Sequence, residues 1–158
     1  MGDRGQTGFD FLAGMSVFLL TVGFVFGFAP GMFSPFTSET GTTMIVADRS
    51  AASLVEHRLV DTTSEPGILN GTCTEEFFDA DGMVAECPFD TDAADLHDAL
   101  GVDSTLDVNV TIEHNGSIVT HGVPLTAGPE PNPSAGVTVS QRIVYLDGEE
   151  ETLFVRVW

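Results

Sequence analysis

Residues 11–29 read Phe-Leu-Ala-Gly-Met-Ser-Val-Phe-Leu-Leu-Thr-Val-Gly-Phe-Val-Phe-Gly-Phe-Ala, without a single charge. A helix of about 20 such residues, rising 1.5 Å per residue, spans a hydrocarbon layer of about 30 Å. The run is apolar on every face, as a membrane span or a fully buried core helix is. Its place almost at the N-terminus favours the span. Pro30-Gly31-Met32-Phe33-Ser34-Pro35 follows, and two prolines predict a kink or break. The periodicity predicts that a helix resumes over 43–59. Ile45, Ala52, Val55 and Leu59 then share one face, and Asp48, Arg49, Glu56 and Arg58 lie largely off it. Residues 60–91, rich in Thr, Gly, Asp and Pro, read as an irregular loop. A short helix is expected at 92–100, capped by Thr91 or Asp90 and closed by Gly101.

Beyond residue 105 the period changes to two. Leu106, Val108, Val110 and Ile112 alternate with Asp107, Asn109, Thr111 and Glu113, the pattern of a half-buried strand. Asn115-Gly116 is a strong hairpin signal. A two-residue turn there pairs His114 with Ser117, Ile112 with Val119 and His121 with Val110. Val119 then joins the apolar face and Ile118 does not. In the second pair of strands, Val137, Val139, Ile143 and Tyr145 share odd parity with Leu153, Val155 and Val157. Odd facing odd requires a three-residue loop, Gly148-Glu149-Glu150, because a two-residue Asp147-Gly148 turn sets Glu151 and Thr152 against the apolar face. The expected fold class is α+β. It comprises a long kinked N-terminal helix with a membrane half and an amphipathic half, a disulfide-bearing loop, a short helix, and a C-terminal antiparallel meander of about four strands.

Charge sharpens this picture. The chain of 158 residues has 24 acidic and 5 basic side chains, a formal net charge of −19, and no Lys. The part from residue 37 onward holds 22 of the acids and 4 of the arginines, a net of −18. Such a surface repels nucleic acid, whose binding needs cations to displace counterions. Self-repulsion is relieved in strong salt, where the screening length falls to about 3 Å at 1 M. A Lys-free acidic surface resembles proteins of halophilic archaea.

Cys73 and Cys87 enclose a loop that a disulfide can close, the expected reading in an exported domain of this size. The rival, a metal site drawing on His57, His97, His114 or His121, lacks paired ligand spacing. Asn70, Asn109 and Asn115 each head an Asn-X-Ser/Thr sequence and are glycosylation candidates. Asp79-Ala80-Asp81-Gly82 is similar to the start of a calcium loop, but no Glu completes it. Glu149-Glu150-Glu151 reads as a solvated turn. There is no Gly-X-Ser-X-Gly elbow or Gly-rich phosphate loop. The sequence asks for no cofactor and no metal, and the expectation is that the protein is not an enzyme.

The remaining signal is Arg4-Gly5-Gln6-Thr7-Gly8-Phe9-Asp10, directly before the apolar run. An ordinary secretory signal is cut after its apolar stretch; here that cut would fall near Ala29, with Pro30 poorly placed for it. A cut before the stretch instead keeps it on the mature chain. This arrangement resembles the class III signal peptide of archaeal type IV pilins. There a basic residue and Gly precede the cut, Gln follows it, and an acidic residue stands fifth in the mature chain. Arg4, Gly5, Gln6 and Asp10 fill those places, with Gly8 where Ser or Ala is commoner and Asp where Glu is usual. The resemblance covers about the first 30 residues. It implies a leader peptide over 1–5, a transmembrane and assembly helix with its kink over 6–36, and an extracellular head over 37–158. It further implies cleavage by a prepilin peptidase, with Gly5 and Gln6 as the processing site, and an assembly role for Asp10 as partner of a neighbouring subunit's new α-amino group. The expected function is a minor or initiating structural subunit of a type IV pilus-like surface filament. Its partners would be other pilin-like subunits and the pilus assembly machinery. The alternative is a single-pass membrane-anchored surface binding protein outside any filament. Either form places the N-terminus in the cytoplasm and the head outside.

Overall fold

The computed structural model describes residues 4–37, 39–82 and 86–158; the first three residues of the expected leader lie outside them. The chain divides into two compact units, residues up to Gly41 and Thr42–Trp158.

Helix α1 spans Arg4–Thr37. Its backbone stays helical through Pro30 and Pro35, so no break occurs before Thr37. A proline ring already holds the helical φ, so the backbone can stay helical at the cost of one hydrogen bond and a crowded carbonyl four residues earlier. Helix α2 runs Glu39–Ser53 and passes into a π turn, Leu54–Arg58, closed where Leu59 N–H donates to the Leu54 carbonyl at 3.0 Å. Within the second unit, the buried stripe keeps the expected Val55 and Leu59, but its first half is not the one the periodicity indicated. Ala47, Ser50 and Ala51 are buried with Leu54, Val55 and Leu59, whereas Ile45 is 70% exposed. Small side chains let the helix lie close against the sheet, and closeness outweighed the hydrophobicity of Ile45.

Residues 60–91 hold more order than expected. Strand β1 (Ile68–Leu69) and helix α3 (Gly71–Phe78) lie there. Asn70 caps α3, its side-chain oxygen accepting from Cys73 N–H at 3.0 Å. The expected helix at 92–100 is present as one 3-10 turn, Ala93–Asp95, followed by α4, Leu96–Leu100. Asp92 rather than Thr91 caps the turn, and Gly101 ends α4 with φ 62°.

The sheet is mixed and has six strands, not an antiparallel meander of four. Its long members are β2 (Val108–His114), β7 (Thr138–Leu146) and β8 (Glu149–Val157). The order is β1-β7-β8-β2-β3, with β3 at Ser117–Ile118; β6 (Thr126–Ala127) also pairs with β2. Strand β1 runs parallel to β7, and β8 returns to lie antiparallel to β2. The Asn115-Gly116 hairpin has the expected register, His114 opposite Ser117. It ends at once, however. After Val119 the chain folds out into a small pair, β4 (Thr120–His121) and β5 (Val123–Pro124), and returns so that Ala127 rather than His121 faces Val110. Gly122, at φ 66°, makes that reversal, and a Cβ there would fall on the Glu75 carboxylate.

The β7–β8 hairpin takes the two-residue Asp147-Gly148 turn, with φ 52° and 86°, pairing Leu146 with Glu149. Consequently the even residues Ser140, Val144 and Leu146 point into the core, and Val139, Ile143 and Tyr145 stay exposed. The core comprises these even residues with Val108, Val110, Ile112, Leu153, Val155 and Val157, covered by Ala47, Ala51, Leu54 and Phe77. Each large side chain so buried contributes about 1.5–3 kcal/mol.

Candidate functional site

Two regions carry whatever this chain does: the N-terminal helix and the surface of the head. In α1, residues Gly8–Ala29 form a helix long and apolar enough to cross a membrane, and among the described residues none of its apolar side chains is buried. Phe9, Leu20 and Phe26 are each more than 70% exposed. Its two hydroxyls are turned inward: Ser16 and Thr21 donate to the carbonyls of Leu12 and Val17 at 2.7 and 2.9 Å. This helix therefore offers lipid, or other helices, a surface free of unsatisfied side-chain hydroxyls. Asp10 is the one charged residue of Gly8–Ala29, exposed beside Phe9 and Phe11. The Gly5–Gln6 bond lies in the first turn of the same helix. The segment is a membrane anchor or a signal.

Cys73 and Cys87 are joined, with Cα atoms 5.6 Å apart. The bridge ties α3 to the segment leading to Phe89, whose ring packs edge-on against Phe77 at 5.7 Å. A disulfide suits a head outside the reducing cytoplasm.

The glycosylation candidates separate. Asn109 is 3% exposed, and its amide nitrogen donates to the carbonyls of Ala127 and Gly128 at 3.1 and 3.5 Å. Its oxygen accepts from Arg156 at 3.2 Å. This packing leaves no room for a sugar, so Asn109 is removed from the candidates; a strand pattern with one polar face cannot show that the polar face is also covered. Asn70 is half-buried, capping α3 with its oxygen and donating to Asp61 at 3.0 Å. Asn115 is exposed at the hairpin turn.

The histidines do not gather into a metal site. His114 faces Glu151 across the strands at 3.0 Å, and His121 lies 2.9 Å from Asp147 and 3.6 Å from Glu75. Among the described residues, Asp79, Asp81 and Asp92 are the group with the spacing to hold a cation, their oxygens lying within 4.8 Å of one another. The motif reading supplied Asp79 and Asp81 and missed Asp92, which only the fold brings near. Both Asp92 oxygens already accept backbone N–H groups, from Gly82 and Ala94, at 2.8 Å each.

On the outer face of the sheet, Arg156 donates to Thr111 at 2.7 Å and to Glu113 at 2.8 Å, and its guanidinium lies 4.8 Å from the centre of the Phe154 ring. Burial pushes the Glu113 carboxyl up, but the hydrogen bond from Thr111 and the charge of Arg156 together hold it below its ordinary value. A carboxyl depressed in the fold adds stability above its unfolded pKa, and that stability is lost as pH falls through the folded value. Glu113→Gln should therefore lower head stability by about 1 kcal/mol at neutral pH, the scale of a charge-assisted bond. The difference from wild type should shrink as pH falls below the ordinary carboxylate range and the Glu113 carboxyl takes its proton. Unfolding curves at pH 7 and pH 3 check this; a difference unchanged between the two would refute it.

The same face bears the exposed stripe Val139, Ile143 and Tyr145, with Ile68 beside Tyr145. A groove of about 470 Å³ between α2 and β7, lined by Met44, Ile45, Asp48, Arg49, Thr138, Val139 and Ser140, continues it. Strand β7 carries no acidic residue, whereas β2 carries Glu113 and β8 carries three glutamates. Sequence parity placed Val139, Ile143 and Tyr145 inside, so this surface was not foreseen.

Over residues 2–158 the chain matches DUF7287, a family of unknown function, and it belongs to that family. No curated protein and no solved structure matches it.

Proposed function

We propose that this DUF7287 chain is a structural subunit, minor or initiating, of a type IV pilus-like surface filament. It is cut between Gly5 and Gln6 by a prepilin peptidase and assembled through its N-terminal helix with other pilin-like subunits. The observation that carries this reading is the order of parts at the N-terminus. Arg4-Gly5-Gln6 and then Asp10 stand directly before the uncharged stretch 11–29, none of whose apolar side chains is buried among the described residues. A cut at Gly5 leaves that helix on the mature protein. Packed among like helices and out of lipid, each exposed Phe or Leu is stabilised by about 25 cal/mol per Å² removed from water. Within lipid that gain is absent, so extraction needs an assembly machine. The head carries a net of −18. A filament of this chain alone therefore needs strong salt to screen its heads, which favours a subunit interspersed among others. The reading gives the protein no catalytic role and no cofactor.

The second reading, a permanently anchored surface binding protein, draws on the same exposed stripe and on the net charge. The N-terminus of the protein recovered from membranes separates cut from uncut chains. The filament reading expects a chain starting at Gln6, and expects Gly5→Val to remain uncut. Intact mass showing residues 1–5 retained in the wild type, or a start near Pro30, overturns it.

A further inference from the structure

The three Asn-X-Ser/Thr sequences are chemically alike and structurally unequal. A glycan needs an amide nitrogen that solvent reaches and that holds nothing together. Asn109 is buried with both ends of its side chain bonded. Asn70 is committed at both ends, to Cys73 N–H and to Asp61. Asn115 differs on every count. It occupies the first place of the hairpin turn at φ 49°, and Gly116 follows at φ 81°. Its side chain makes no hydrogen bond among the described residues, and His114, Gly116, Ser117 and Ile118 around it are all exposed.

Position in the head adds a second, independent argument. The chain enters this unit at Thr42, and Thr43 Oγ1 meets Thr138 Oγ1 at 2.8 Å. Thr138 pairs with Val157, which in turn pairs with Val108, so all three mark one end of the sheet. Asn115 lies just past His114 at the other end of β2, a strand roughly 20 Å long at about 3.3 Å per residue. A sugar there projects from the end of the sheet opposite Thr138 and away from the groove at Met44, Ile45 and Val139.

We propose that Asn115 is the glycosylated asparagine of this chain, accepting an oligosaccharide from a lipid-phosphate-linked sugar donor. In that transfer the Asn115 amide nitrogen bonds to the anomeric carbon. The bond between that carbon and the donor's phosphate oxygen breaks, and the phosphate leaves with the electron pair. The amide proton passes to base. The step requires export of the head and is indifferent to whether the helix joins a filament.

The test uses the full chain isolated from its own cells. Cleavage after glutamate, which spares the Glu130–Pro131 bond, releases His114–Glu149, which contains Asn115 and neither of the other two sequences. The expected result is that this peptide carries the mass of a glycan and that those holding Asn70 and Asn109 are unmodified. Ser117→Ala keeps the asparagine and the turn but removes the acceptor sequence, and its His114–Glu149 peptide should be bare. A bare peptide in the wild type, a glycan on the Asn70 or Asn109 peptide, or a glycan persisting in Ser117→Ala overturns the proposal. None of these outcomes depends on the N-terminus or on filament yield, which test the filament reading separately.

Discussion

Asp10→Ala should still be cut at Gly5 and should still be found in the membrane, yet it should be missing from sheared surface filaments. Near lipid a carboxylate is a cost, about 2.5–3.5 kcal/mol at the centre of a spanning helix and less toward its end. A permanent anchor therefore tolerates Asp10→Ala or gains from it. In a filament the balance reverses. Cleavage creates an α-amino group at Gln6, and the family resemblance pairs that amine with Asp10 of a neighbour. Between packed helices both charges are desolvated. Deleting one partner of such a pair costs about 3–5 kcal/mol, because the other is left buried and alone. Against the small free energies that hold one subunit in place, that is enough to exclude it. Asp10→Glu keeps the charge and should restore entry. Immunoblots of membrane and sheared fractions read the result. An equal distribution of wild type and Asp10→Ala between the two fractions would favour the simple anchor.

The second large effect is expected in the head. Cys73→Ser, or reduction, should lower its stability by about 3 kcal/mol, within a range of about 2–5, since the bridge closes a loop of roughly 15 residues. For a unit of this size the unfolding midpoint should drop by about 10 °C. The structure says which part loosens first. Cys73 sits one turn into α3, directly behind the Asn70 cap, and Phe77 of that helix is fully buried against the sheet. Without the bridge, the segment from Cys87 to Phe89 is free to leave the Phe77 ring. Trp158 is the only tryptophan, and its backbone pairs with Asp107 at the end of β8, so its fluorescence follows sheet unfolding. An unchanged midpoint would show that the bridge does not restrain the unfolded chain.

What could be read from sequence was local. The uncharged helix, the Gly101 cap, the Asn115-Gly116 turn and the register of its first pairs each depend on a handful of adjacent residues. The two cysteines were legible because only one pairing exists. Helix α3 was missed although its cap is local. Asn70-Gly71-Thr72 lies in a stretch whose Thr, Gly, Asp and Pro content resembles loop, and the helix is only eight residues long. It holds through Phe77, Phe78 and the disulfide, which are tertiary contacts. The parity of β7 shows the limit most clearly. Taken alone, Val139, Ile143 and Tyr145 are the apolar set, and burying them calls for a three-residue loop. The chain instead adopts the Asp147-Gly148 turn, which places Glu151 at 7% exposure on the core side. Such a register stands because His114, on β2 and 37 residues away, meets that carboxylate across the strands at 3.0 Å. It stands also because Ser140 and Arg142 face α2, where Arg142 pairs with Asp48. By itself, then, the sequence determined the uncharged N-terminal helix, the charge of the head and the hairpin tip. The tertiary structure decided which face of β7 meets water, which asparagine is free, and that β8 returns beside β2. A strand's two faces differ only by what lies across from them, and those partners are brought there by the fold.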